Sequence, residues 1–64
     1  MINLGDLVRK VGGTADRNLL GVVNKIYVNS LGVEMCYVTT AKGNRVWLAH
    51  LLEVSQYFSD KGAQ

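Results

Sequence analysis

The sequence predicts an all-β fold, a small barrel built from five short strands. Glycine recurs at positions 5, 12, 13, 21, 32, 43 and 62 and divides the chain into pieces of strand length. These pieces are rich in Val, Ile, Tyr and Leu, and the chain contains no proline to interrupt them. Five short strands, a long first loop, tight later hairpins and a one-turn connection before the last strand are what a small closed barrel needs, and closure removes most of the exposed strand edge that invites aggregation.

The first strand is predicted within Asp6 to Val11, where apolar and charged residues follow one another closely, as in a half-exposed strand. The polar, glycine-containing stretch from Val11 to Asn18 is predicted to be a long loop.

The second strand, Leu19 to Val28, is rich in β-branched residues. Simple alternation places Val22, Ile26 and Val28 on one face, and Val23, Lys25 and Tyr27 on the other. A strand this long in a small protein should bend, and either Gly21 or a bulge near Asn24 would allow it.

The third and fourth strands form a predicted hairpin. A turn at Asn29 to Gly32 leads into a strand from Val33 to Ala41, and a short loop at Lys42 to Asn44 leads into a strand from Arg45 to Ala49. Gly43 suits this loop because glycine adopts positive φ without steric cost.

The last predicted elements are a single 3₁₀ turn at His50 to Leu52 and a short strand from Glu53 to Phe58. Residues 1–58 therefore form one domain, and residues 59–64 are expected to be a frayed polar tail. The alternative is one helix from Val46 to Tyr57, with apolar residues at helical spacing. It ranks second because no clear N-cap precedes it and the surrounding sequence is β-rich.

Composition restricts how so short a chain is stabilised. With 64 residues, only about 60% of the unfolded surface becomes buried, so the core is marginal. Cys36 is the only cysteine and His50 the only histidine, which excludes an intramolecular disulfide and a zinc cluster of several Cys and His ligands from one chain. Because 48% of residues are apolar and 19% charged, association between chains is the expected aid to stability.

The start of the sequence lacks a basic segment followed by a long apolar run, and no stretch reaches the roughly 18 to 20 apolar residues needed to cross a bilayer. A cytoplasmic protein without membrane partners is expected. The formal net charge of +2 is spread along the chain, far weaker than the clustered charge of a dedicated nucleic-acid-binding protein.

The order of motifs resembles a known family. "GDLVRK", a variable loop, "GVVNKI", a hairpin around "KGNRVW" and then "HLLEV" resemble the small SH3-like barrels, including KOW-type and Tudor-type modules. The chain is especially similar to small SH3-like proteins encoded by bacteriophages, in which "GDLV" and "LLEV" bracket the barrel. The resemblance covers about residues 4–55. It implies a first strand near Gly5 to Val11, an RT-like loop near Gly12 to Leu19, and location in a host cytoplasm or a virion.

The resemblance implies little chemistry, because such barrels host many functions. The chain lacks the acidic RT loop, the tyrosine row and the proline of the peptide-binding members, which argues against a polyproline ligand. A nucleophilic Cys36 would need a base and an orienting group, and only His50 is available, so a buried, inert cysteine is expected. We predict no catalytic residues, no metal site and no cofactor.

The first functional hypothesis is an interaction module that forms homo-oligomers through apolar strand faces. Apolar residues fill both alternations of the predicted strands, so some must point outward, where clustered ones mark interfaces. The candidate interface residues are Tyr27, Tyr37 and Trp47. A tryptophan buries a large area, and Trp47 suits either the core or an interface with a protein partner.

The second hypothesis is a nucleic-acid-binding barrel of the KOW or Tudor type. Basic side chains would contact phosphates beside aromatic rings that stack on bases. The candidate contacts are Arg9, Arg17, Lys25, Lys42 and Arg45.

Overall fold

The computed structural model describes residues 2–55 and contains five β-strands and one 3₁₀ turn in that span. The strands are β1 (Leu7–Lys10), β2 (Leu20–Val28), β3 (Glu34–Thr40), β4 (Gly43–Leu48) and β5 (Leu52–Val54), and the 3₁₀ turn is Ala49–Leu51. They form one antiparallel sheet in the order β4-β3-β2-β1-β5. The predicted all-β class, with five strands and a 3₁₀ turn before the last, is confirmed.

Element boundaries differ slightly from the prediction. The 3₁₀ turn begins one residue earlier than expected, and residues 46–55 contain no α-helix, so the helical alternative is wrong over that span. The predicted last strand extended to Phe58 and the predicted tail began at residue 59, but residues 56–64 lie outside the described part of the chain.

The β3–β4 hairpin is tighter than predicted. Thr40 pairs with Gly43, so only Ala41 and Lys42 form the loop. Gly43 has a φ of +115°, a conformation that glycine adopts without a steric penalty. This tight connection sets an unbroken register along the whole hairpin.

A β-bulge interrupts β2 at Asn24, one of the two positions at which a bend was predicted. Val23 pairs with Val38, whereas Lys25, two residues later, pairs with Tyr37. The Asn24 side-chain amide donates a hydrogen bond of 2.6 Å to the Thr39 hydroxyl. The extra residue reverses the alternation of the strand, so the prediction that Val22 and Ile26 share a face is wrong.

One face of the sheet carries the core, and we call it the inner face. The buried apolar residues come from β1 to β4 and the 3₁₀ turn, namely Val8, Val23, Cys36, Val38, Trp47 and Ala49. Gly21 lies opposite Val8 on the same face. A Cβ there would collide with a methyl group of Val38 and lie 2.8 Å from the Thr39 carbonyl oxygen, so the close approach of β2 to β3 requires glycine.

The sheet is strongly curled. Strands β4 and β5 are its two edges, yet the three-residue 3₁₀ turn alone connects them. In a flat five-stranded sheet the edge strands would lie about 19 Å apart, whereas a 3₁₀ turn advances only about 2 Å per residue. The curl brings the two edges towards each other. Within residues 2–55 they share no backbone pairing, so the hydrogen-bonded sheet is open rather than closed.

Candidate interaction surfaces

The outer face of the sheet is apolar across three strands. Register places Lys25, Tyr37 and Val46 in one cross-strand row, and Tyr27, Met35 and Leu48 in the next. We call the five apolar members of these rows the outer apolar patch: Tyr27, Met35, Tyr37, Val46 and Leu48. Tyr37 is 40% exposed and Val46 is 49% exposed, so the centre of the patch is open to solvent.

Two tyrosines anchor the patch. The ring centroids of Tyr27 and Tyr37 are 5.4 Å apart with an interplanar angle of 78°, an edge-to-face arrangement that favours both rings. The Lys25 ammonium lies 5.4 Å from the Tyr37 centroid, at a distance where a cation is attracted to the ring face. The structure therefore brings together two of the three predicted interface residues.

Exposed apolar residues continue along this face towards β1. Val22 pairs with Leu7, and Leu20 pairs with Arg9, and both Leu20 and Val22 are exposed. The sequence-based expectation that apolar residues occupy both faces of the strands is confirmed.

Trp47, the third predicted interface residue, lies on the opposite face. It pairs with the buried Cys36 and is 5% exposed, so it belongs to the core. Its indole Nε1–H donates to a carboxylate oxygen of Asp16 at 3.2 Å, and the same oxygen lies 3.3 Å from Nε of Arg45. These contacts attach the loop between β1 and β2 to β4.

Lys10 completes this attachment from the β1 side. It is 5% exposed, and its ammonium donates to the Ala15 carbonyl oxygen at 2.9 Å and lies 5.8 Å from the Trp47 centroid. A buried charge needs such partners to offset its desolvation. The sequence-based prediction did not identify Lys10 and Asp16 as partners of Trp47. The position of Lys10 two residues after Val8, on the same face of β1, was an available signal.

A groove of about 330 Å³ lies between this loop and β4. We call it the β4 groove. Its lining residues are Lys10, Ala15, Asp16, Met35, Arg45, Val46, Trp47, Leu48 and Leu51. Arg45 and Trp47 belong to the inner face and Val46 and Leu48 to the outer face. Because both alternations of β4 contribute, the groove follows the free edge of that strand.

The five candidate nucleic-acid contacts do not share one surface. Arg9 pairs with Glu53 on the outer face between β1 and β5, and Arg45 pairs with Asp16 in the β4 groove. Lys25 lies on the outer face of β2 and Lys42 in the hairpin loop. Arg17 is exposed in the loop between β1 and β2. Two of the five are thus already engaged by carboxylates.

Reactive groups are few in the described chain. Cys36 is fully buried, and burial, together with the nearby negative charge of Glu34, raises the pKa of its thiol, which disfavours the nucleophilic thiolate. The expectation of a buried cysteine is confirmed. His50 is exposed on the 3₁₀ turn. Across residues 2–55, no three His, Cys, Asp or Glu side chains come together in a way that could hold a metal ion.

None of the helical structure in residues 2–55 is long and apolar enough to cross a membrane. Comparison with protein-family models, curated proteins and solved structures gives no match for this chain.

Proposed function

We propose that this chain is a non-catalytic interaction module with an SH3-like barrel, of the kind that bacteriophages encode, and that it self-associates through its outer apolar patch. The observation that carries the proposal is the apolar outer surface across β2, β3 and β4, which is exposed at its centre, at Tyr37 and Val46.

The curl of the sheet supports the barrel. The chain passes from one edge strand to the other through three residues, which requires the sheet to wrap around its core. The order of elements also follows the resemblance in sequence: a long first loop, tight later connections and a 3₁₀ turn before the last strand.

The small size of the core supports the proposal that the partner is a second copy of the chain, because association would add buried apolar surface. A chain of this length buries only about 60% of its unfolded surface, and the core formed by residues 2–55 contains six buried apolar residues. An identical copy presents the same patch, and a two-fold arrangement matches apolar surface to apolar surface without any other protein. Association then buries side chains that the curled sheet leaves exposed.

The direct test is light scattering on a sizing column across a concentration series. We expect the wild-type chain to run as an oligomer at high micromolar concentration and to dissociate on dilution. Val46→Lys and Tyr37→Lys should remain monomeric, because each places an ammonium in the patch. The matched control is Leu31→Lys, since Leu31 is 84% exposed in the β2–β3 turn and lies outside the patch.

A monomeric wild-type chain at high micromolar concentration would contradict self-association. An unchanged oligomer in both patch variants would instead leave self-association standing and remove the patch from it. Circular dichroism spectra of all variants establish that they are folded.

The arrangement of the basic residues gives less support to nucleic-acid binding. Arg9 and Arg45 engage carboxylates, and no single face gathers all five candidates. A titration with single-stranded and duplex DNA and RNA at two salt concentrations distinguishes the two functions. Affinity at low salt that falls as salt is added would favour the nucleic-acid-binding barrel.

A further inference from the structure

The free edge of β4 suggests how two copies meet, an inference that rests on the proposed self-association. We propose that two chains pair antiparallel along their β4 strands, with Val46 of each chain on the two-fold axis. The two sheets then join edge to edge, and the two β4 members of the outer apolar patch, Val46 and Leu48, contact the partner's strand.

Strand β4 has the properties of an edge that accepts another strand. Its six residues pair with β3 in unbroken register, from Leu48 opposite Met35 to Gly43 opposite Thr40. In an antiparallel ladder, alternate residues direct their N–H and C=O groups away from the partner strand. Within residues 2–55, no backbone group forms a hydrogen bond to β4 on that side. No proline or bulge interrupts the strand, and the β4 groove leaves space along it.

The opposite edge is protected. Strand β5 has only three residues, and its central residue, Glu53, forms an ion pair with Arg9. Short strands and charged side chains are the usual means by which proteins keep an edge from pairing with another chain. Of the two edges, β4 is therefore the one available for association.

The sequence of β4 is self-complementary when Val46 faces the partner's Val46. Asn44 then faces the partner's Leu48 on the outer side, and Arg45 faces the partner's Trp47 on the inner side. Cross-strand neighbours in an antiparallel pair project from the same face, which this register satisfies at every position. A shift of one residue would set the outer face of one chain against the inner face of the other.

Charge favours the same register. Arg45 and Trp47 of one chain both contact Asp16 of that chain, so in this register the guanidinium of that ion pair lies beside the partner's Trp47 ring. The two-fold axis repeats this contact, so each chain supplies one guanidinium and receives one. On the outer side, the row of Lys25, Tyr37 and Val46 continues into the same row of the partner, with the two lysines at its far ends.

Disulfide trapping tests this pairing. In Val46→Cys the two introduced side chains face each other across the axis, where cross-strand Cβ atoms lie about 4.5 to 5.5 Å apart, close to disulfide range. Under mild oxidation we expect most of the chain to become a covalent dimer on a non-reducing gel. Cys36 stays in place in all variants, because its burial makes it a poor partner and the wild-type chain sets the background.

Two control variants distinguish cross-linking that results from β4 pairing from cross-linking by random collision between chains. Val22→Cys places a thiol on the same outer face but two strands from the β4 edge, and Leu31→Cys places one in an exposed turn. Both should cross-link at the rate of random encounter, at least tenfold more slowly than Val46→Cys.

The outcomes distinguish the pairing from the function on which it rests. If light scattering shows a dimer but Val46→Cys cross-links no faster than Leu31→Cys, edge pairing is overturned and self-association stands. Rapid cross-linking of Val22→Cys would indicate that the outer faces of two sheets stack on each other. Assemblies larger than a dimer would indicate that strand edges other than the two β4 strands pair between chains. Each of these also overturns the proposed pairing. A monomeric wild-type chain overturns the proposed function itself.

Discussion

The two faces of this sheet are built from similar residues but differ in exposure. On the inner face, Val8, Val23 and Val38 are fully buried or nearly so. On the outer face, Val22 and Val46 remain about half exposed. The side chains are the same, so their chemistry does not account for the difference.

The curl of the sheet explains the contrast. In a sheet that wraps upon itself, side chains converge on the concave side and diverge on the convex side. Convergence excludes water from valines on the inner face and requires Gly21 where a larger residue would collide. Divergence leaves the outer residues separated enough for water to reach them. Apolar composition therefore indicates only that a face can be buried, and the curvature decides which face the single chain buries.

Truncating one valine on each face tests the contrast between the two faces most directly. We expect Val38→Ala to lower the free energy of unfolding by about 2 to 3 kcal/mol, because two methyl groups leave the core and a cavity remains. Val46→Ala on the neighbouring strand should change it by less than about 0.5 kcal/mol. Urea denaturation at low protein concentration, where association does not contribute, measures both. Equal losses would show that the faces do not differ in energy.

Removing the polar contacts around Trp47 tests whether the loop between β1 and β2 keeps water away from the inner face. Asp16→Ala removes the acceptor of the Trp47 indole and the partner of Arg45, so we expect a loss of about 1 to 2 kcal/mol. Trp47 is the only tryptophan, and its fluorescence should shift to longer wavelength as water reaches the ring. The control is Arg17→Ala, an exposed neighbour in the same loop. If both variants behave alike, the loop does not seal the inner face.

The smallest expected effect concerns the inner-face thiol. Burial, and secondarily Glu34, raises the pKa of Cys36 in the folded chain, so the unfolded chain ionises first as pH rises. The stabilising contribution is complete below the ordinary thiol pKa of about 8.5, and the loss by pH 9 should be less than about 1 kcal/mol. It continues until pH passes the raised folded-state pKa.

Urea midpoints between pH 7 and pH 9 measure this decline. The decline should vanish in Cys36→Ala and remain absent when Val46→Cys is added to that background, since a half-exposed outer position does not desolvate the thiol. A decline unchanged in Cys36→Ala would assign it to other groups.

Much of the fold could be predicted because its signals are local. Glycine and polar clusters mark the turns, and runs of β-branched and aromatic residues mark the strands, so the five strands and the 3₁₀ turn were predictable within a few residues. The bend near Asn24 was also predictable, because the second strand is long for so small a sheet.

The candidate surface was only partly predictable. Alternation predicts two faces for each strand, but one inserted residue at Asn24 exchanges the faces of every residue after it. Tyr27 and Tyr37 were singled out together with Trp47, yet the register sets the tyrosines on the outer face and the tryptophan inside. The contacts of Lys10 and Asp16 with Trp47 join distant parts of the chain. No local pattern contains that information.

The all-β class, the positions of the turns, the lack of an intramolecular disulfide and the excess of apolar residues over what one face of a small sheet can bury all follow from the sequence alone. Which apolar residues are buried, where Trp47 points and which edge of residues 2–55 carries the longer strand depend on the tertiary structure. The division arises because strand propensity and turn chemistry act between neighbours in sequence. Burial and strand pairing depend instead on the register and curvature of strands that the chain brings together from a distance.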